Sequence, residues 1–371
     1  MADPSTPKMA AAGSIVQGRR EASLQILRFV AAAMVLVTHI TFYFHERVNA
    51  AVPVWYGGAA GVPIFFVVSG FVMYVSGTRL PRDTEGAWLF LRRRLARVLP
   101  LYWLITTLKI AIALALPAVV LHNRPDLLKC LGSYVLYPMF NAEGDVRPIH
   151  GVGWTLLHEM FFYYVFSLSL LLRQPPPVFT SIVIIGFWVI GLIFPPISAP
   201  ALIYCSGQNL NFVVGMLLAA VHKRGFHVPG SVAILMLIVG ASLVLSPGFG
   251  AVRQSLLGDF DVEAGLTVAA FLWIPISGRF GLKRLLAALG DSSYSTYMIH
   301  PIVAPAACLI FFKYLSSSFY ICASMAFLCC IAIAHLIYLY VERPLNGKAG
   351  RLLGNRSTTL VPAQSYRVSM P

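Results

Sequence analysis

Arg28 and His39 lie eleven residues apart inside one apolar run, LRFVAAAMVLVTH. Ionisable side chains are costly in such a run, and they mark functional sites by default when the run crosses a bilayer. On a helix, eleven residues bring two side chains to within about 20° of one face and about 16 Å apart along the axis. Arg28 is a fixed cation suited to phosphate, and His39 is an imidazole able to take a proton. An arginine near a span end can also snorkel, and a lone histidine can simply pack.

Two further stretches carry chemistry. In FLRRRLARVLPLYW, residues 90–103, Arg94 and Arg97 are three apart and would share a helical face. They could clamp a polyphosphate if the helix continues past Pro100. The simpler role is a positive-inside anchor followed by a belt of Tyr102 and Trp103. In GVGWTLLHEMFFYY, residues 151–164, Glu159 is, of 14 acidic residues, the one well inside an apolar segment. A carboxylate there needs a partner. It sits about 11 Å below the outer surface and His39 about 8 Å, so the two are expected to meet across helices, the carboxylate orienting or charging the imidazole. His158 projects about 100° away from Glu159 and is a structural or substrate-facing candidate. Trp154 and Tyr163 could pack beside a sugar.

GDSSYSTYMIHP, residues 290–301, reads as a capped helix start with Asp291 or Ser292 at the N-cap, and it carries His300 as buried polar glue or a site residue. GVPIFFVVSGF, residues 61–71, places Ser69 and Gly70 at mid-span, suited to close helix packing. Lys109 and His335 are further intramembrane candidates, with structural roles the simpler assignment. The six cysteines show no metal-ligand spacing and read as packing residues, so no metal is expected.

The elements that hold these residues follow from composition. The chain has 371 residues, 58% of them hydrophobic and 11% charged, with a mean hydropathy of +0.76, which excludes a soluble globular domain. Apolar segments recur at about 24–44, 59–77, 98–120, 151–172, 178–194, 202–221, 232–245, 262–276, 294–312 and 319–341. The expected fold is an all-α polytopic transmembrane bundle of about ten spans. The first apolar segment is too long to be a secretory signal.

The net charge of +14 does not form a nucleic-acid stripe. With the N-terminus inside, most of the 28 cations, among them Arg92, Arg93, Lys223, Arg224, Lys283 and Arg284, fall on the cytoplasmic side. Arg47, Arg124, Lys129, Arg147, Arg253 and Lys313 fall outside. Both termini are thus expected in the cytoplasm. Residues 1–20 read as a tail, 21–345 as one membrane domain and 346–371 as a flexible tail. The outer stretch LLKCLGSYVLYPMF is too short to span and reads as a re-entrant or interfacial piece. No internal repeat is evident, which weighs against a solenoid or an inverted-repeat transporter.

Taken in order, the Arg28–His39 pair, GVPIFFVVSGF, RRLARVLPLYW, GWTLLHEMFFY, GDSSYSTYMIH and the closing VERPL resemble the acyltransferase-3 family of integral membrane O-acyltransferases, and particularly its exopolysaccharide acetyltransferase branch. The resemblance covers about residues 24–345. It implies a ten-helix fold in a bacterial inner membrane that takes an acyl group, acetyl before succinyl, from cytoplasmic acyl-CoA. The acceptor it implies is a hydroxyl of an exopolysaccharide or a lipid-linked oligosaccharide on the far side. It also implies that His39 is catalytic with Arg28 as its partner, that Arg94 and Arg97 are the paired arginines after the second span, and that Glu159 is the acidic residue of the tryptophan-containing motif. Longer relatives append an extracytoplasmic esterase-like domain, and this chain is expected to resemble the stand-alone form. Two other classes stay open: a polysaccharide exporter or flippase, and an acyltransferase acting on a small lipid or secondary metabolite.

Overall fold

The computed structural model describes residues 6–116, 126–245, 260–274 and 280–352. Those residues are helical and contain no strand, only an isolated bridge between Phe140 and Val146. The helices are α1 (Thr6–Arg47), α2 (Gly61–Gly77), α3 (Thr84–Ala115), α4 (Leu127–Val135), α5 (Trp154–Leu171), α6 (Pro176–Ile193), α7 (Ala199–Tyr204), α8 (Leu210–Lys223), α9 (Gly230–Leu245), α10 (Val262–Trp273), α11 (Phe280–Asp291), α12 (Ser293–Tyr314), α13 (Phe319–Ile337) and α14 (Arg343–Leu352). A five-residue π-turn, Tyr338–Glu342, joins α13 to α14.

Local sequence explains where these helices start. The Asp83 carboxylate accepts the Gly86 amide at 2.8 Å and caps α3, with Glu85 in the first turn against the helix dipole. Asp126 caps α4 in the same way through Lys129. Ser292 is the N-cap position of α12, although its hydroxyl turns back to the Leu289 carbonyl and does not cap. The α3 helix runs unbroken through Pro100, so Arg94 and Arg97 sit on one continuous helix.

Seven helical stretches among the described residues are long and apolar enough to cross a membrane: 22–47, 56–77, 84–115, 176–193, 199–223, 293–314 and 319–352. Two shorter apolar helices cover 230–244 and 262–273. The α5 helix is largely enclosed by its neighbours: twelve of its residues, from Thr155 to Leu170, are buried.

Two contacts organise the bundle around the site. The α2 and α8 helices approach at glycines, because a Cβ on Gly70 would lie 2.1 Å from the Phe212 carbonyl oxygen and one on Gly215 would lie 2.0 Å from that of Val67. Close backbone approach through small residues is how helices associate where lipid offers no hydrophobic drive. The α1 helix packs against α11 and α12, while α5 packs against α3 and α6. Apolar side chains of α2, α3, α5, α8 and α12 merge into one core around Phe66, Leu101, Phe162 and Phe212.

Several expectations change. Tyr102 is no belt residue: it is fully buried and donates to the Ser133 carbonyl at 2.9 Å, whereas Trp103 is exposed and donates to Tyr134. Three acids at the ends of other apolar segments are enclosed as well: Asp261, Glu263 and Glu342 are each under 5% exposed. Residues 6–20 continue α1 as helix, and α14 extends to Leu352. The remainder of the expected C-terminal tail, 353–371, lies outside the described residues, as do Arg124 and Arg253. The six cysteines are free, with Cys308, Cys322 and Cys330 buried among apolar side chains.

Candidate active site

Three arginines from two helices converge. Arg28 of α1 and Arg94 with Arg97 of α3 line a cavity of about 120 Å³, together with Glu159 and Tyr163 of α5, Ser69 of α2 and Ser293, Tyr294 and Tyr297 of α12. The i, i+3 spacing on α3 puts both guanidinium groups on the cavity face. Arg94 donates to Ser76 Oγ at 2.8 Å and lies 5.6 Å from the Phe90 ring centre. Arg28 donates to Gln25 at 3.2 Å. These bonds hold the guanidinium groups extended toward the cavity, a preorganised cradle for an anion.

Glu159 faces the same cavity. Its Oε1 accepts the Ser69 hydroxyl at 3.2 Å and the Tyr163 hydroxyl from one turn later on α5. Tyr163, fully enclosed, therefore supports the carboxylate.

The expected meeting of His39 with Glu159 does not occur: among the described residues no hydrogen bond joins them. Depth matched, but α1 and α5 face different neighbours, and the imidazole of His39 lies instead against α12. Its ring is edge-on to His300 with centroids 4.6 Å apart. His39 Nδ1 is 2.9 Å from the Val35 carbonyl and His300 Nδ1 is 3.2 Å from that of Thr296. A carbonyl can only accept, so Nδ1 carries the proton in both rings and each Nε2 presents a lone pair. His300 Nε2 is buried and has no hydrogen-bond partner among the described residues. His39 is thus prepared as a proton acceptor by its own helix backbone and by a second imidazole, with no carboxylate involved.

The cavity and the histidine pair are linked through Tyr297. This ring lines the cavity, and its centroid is 5.7 Å from that of His300. Pro301, lacking an N–H, leaves the Tyr297 carbonyl outside the helical ladder at this point.

His158 and Trp154 lie apart from the cavity lining. His158 is buried with Nδ1 3.0 Å from Asn209 Oδ1, and it packs between Phe66 and Trp154 at centroid distances of 5.7 and 5.6 Å. It ties α5 to the start of α8, which corrects its expected place beside substrate. Trp154 packs on His158 and the central core, not on open space.

Ser69, read from sequence as a packing residue, bonds the carboxylate, Ser76 holds Arg94 without lining the cavity, and Ser293, Tyr294 and Tyr297, not singled out from sequence, complete the wall. A signal for the last group existed. Ser293, Tyr297 and His300 are spaced i, i+4, i+7, one face of a helix. Among the described residues no group of three or more His, Cys, Asp or Glu side chains could hold a metal ion.

Comparison with known proteins identifies the family. The acyltransferase domain family model matches residues 21–337. The chain is 32% identical over 313 residues to the exopolysaccharide production protein ExoZ of Rhizobium meliloti, covering 80% of this chain and 92% of that protein. It is 28% identical over 317 residues to the acyltransferase MdmB of Streptomyces mycarofaciens, covering 76% and 78% respectively. No solved structure matches the chain.

Proposed function

Because the chain belongs to the acyltransferase-3 family, we propose that it transfers an acyl group, acetyl before any other, from cytoplasmic acyl-CoA to a hydroxyl of an extracytoplasmic glycan. It is an enzyme that transfers acyl groups; the donor, the acceptor and the side of each are our reading. The observation that carries it is the convergence of Arg28, Arg94 and Arg97 on one cavity with Glu159. Three cations in an apolar bundle call for a polyanion, and the phosphates of CoA supply one. A cavity of about 120 Å³ is below the ~300 Å³ at which whole-ligand pockets begin. The nucleotide would therefore rest at the arginine end while the thioester arm threads inward past Tyr297.

In this reading both termini are cytoplasmic, and α5, α9 and α10 cross a bacterial inner membrane along with the seven longer stretches, making ten spans. His39 Nε2 takes the proton of the acceptor hydroxyl as its oxygen attacks the thioester carbonyl. The CoA thiolate leaves and takes up the proton that His39 holds, giving the free thiol and a neutral imidazole. His300, edge-on to the imidazolium that forms, keeps it oriented. Glu159 stays with the arginines, where it positions them. Exopolysaccharide is the acceptor class the ExoZ relative suggests, either as polymer or as a lipid-linked oligosaccharide.

The test is mass spectrometry of the extracellular glycan from the source strain with and without this protein. Loss of one acyl substituent per repeating unit, restored by the wild-type chain, supports the reading. An unchanged acylation pattern with halted glycan secretion favours an exporter.

A further inference from the structure

The closing VERPL segment has no part in the chemistry above, yet it delivers a buried carboxylate. Glu342 is 4% exposed and ends the π-turn Tyr338–Glu342, the one π segment among the described residues. A turn with an extra residue rotates everything after it by about 100°, and such turns persist mostly at functional sites. Here the turn packs against α3, the helix of Arg94 and Arg97, as well as against α14. Glu342 Oε2 accepts the Ser295 hydroxyl at 2.5 Å. Ser295 follows Ser293 and Tyr294, which line the arginine cavity, and the Ser293 hydroxyl is buried there without a partner among the described residues.

An enclosed carboxylate keeps its charge only where cations and hydrogen-bond donors offset the loss of water. The cations acting on Glu342 are Arg97 and Arg28, and Glu342 in turn is among the charges acting on Arg28, with Arg97, Asp291 and Glu159. Glu342 does not itself line the cavity, where Glu159 is the acid present; it stands behind the α12 wall, bonded to Ser295, on the turn that packs against α3.

We propose that Glu342 is the resident counter-charge of the donor site: its carboxylate offsets Arg28 and Arg97 in the empty enzyme and opposes the polyanion that binds there, so that spent CoA is released. This inference rests on acyl-CoA being the donor. Neutralising Glu342 must then tighten the grip on CoA, the opposite of what loss of a merely structural or arginine-positioning residue would do.

The test is calorimetric titration of the full chain in lipid nanodiscs with CoA. Glu342→Gln is expected to bind CoA about tenfold more tightly than wild type, with an affinity that weakens more steeply with salt; Glu342→Asp, which keeps the charge, stays near wild type. Ser295→Ala removes the hydroxyl that donates to the carboxylate and so weakens the hold on its negative charge, and it is expected to bind CoA about threefold more tightly. It provides the readout if Glu342→Gln does not fold. Unchanged or weaker binding by Glu342→Gln or by Ser295→Ala overturns the proposal. Absence of CoA binding by the wild type overturns the donor reading itself, a separate result from wild-type binding with an insensitive Glu342.

Discussion

The imidazole of His300 stands edge-on to that of His39 at a centroid distance of 4.6 Å, each ring anchored through Nδ1 to a carbonyl four residues back on its own helix. Two helices thus fix one reactive nitrogen. Replacing His300 with Ala removes the ring that orients His39 and leaves the arginine cradle intact. We expect kcat to fall about ten- to a hundredfold with the KM for acyl-CoA nearly unchanged, measured in steady-state transfer assays. A rise in KM with kcat preserved would move His300 to donor binding.

Arg97→Ala should show the reverse pattern. Removal of a guanidinium from the cavity is expected to raise the KM for acyl-CoA and the Kd for free CoA about tenfold or more, with a smaller effect on kcat. Arg94→Lys should fail to restore wild-type affinity, because an ammonium cannot both bond Ser76 and present a planar fork to phosphate.

At the α2–α8 crossing, Gly215→Ala places a methyl group where the Val67 carbonyl already stands. Backbone cannot rotate away as a flexible side chain can. Overpacking of this kind costs about 1–3 kcal/mol, which thermal unfolding in nanodiscs would register as a lower Tm. Gly186, with open space around its Cβ position, is the matched control and should tolerate Ala.

His150, in the segment just before α5, offers a pH test. The ring is fully buried, and burial together with the charge of Lys109 pushes its pKa down to about 3. The unfolded value is about 6.5, so the folded state holds the ring neutral while the unfolded state binds the proton first. The stability this provides is complete above pH ~6.5 and is lost as pH falls from there toward 3. Replacing His150 with Phe should flatten the decline in Tm between pH 7 and 4.

Much of this site is legible in the chain. The separation of Arg94 and Arg97 specifies one helical face, and their shared cavity follows once the helix survives Pro100. Arg28 and His39 keep their two depths on α1. What spacing along one helix cannot supply is which helices adjoin. Equal depth suggested that His39 meets Glu159, but helix neighbours are chosen by glycine contacts and apolar faces far apart in sequence, and those set α1 against α12 and α5 against α3. His158 went to Asn209 for the same reason. Glu342 escaped notice because the last apolar run stops at Val341, and the π-turn that buries the next residue leaves no periodic trace. Tyr102 sits beside Trp103 at a span end, where composition suggests a belt for both, yet the helix turns one inward and the other out.

The central claim is acyl transfer from CoA with His39 as the base. The direct measurement is incubation of membranes carrying the protein with radiolabelled acetyl-CoA and extracted exopolysaccharide, in parallel with His39→Ala membranes of equal protein content. Label is expected in the polysaccharide with the wild type, with a loss of about 10²-fold or more with His39→Ala. Full transfer by His39→Ala, or glycan movement with no consumption of acetyl-CoA by the wild type, would contradict it.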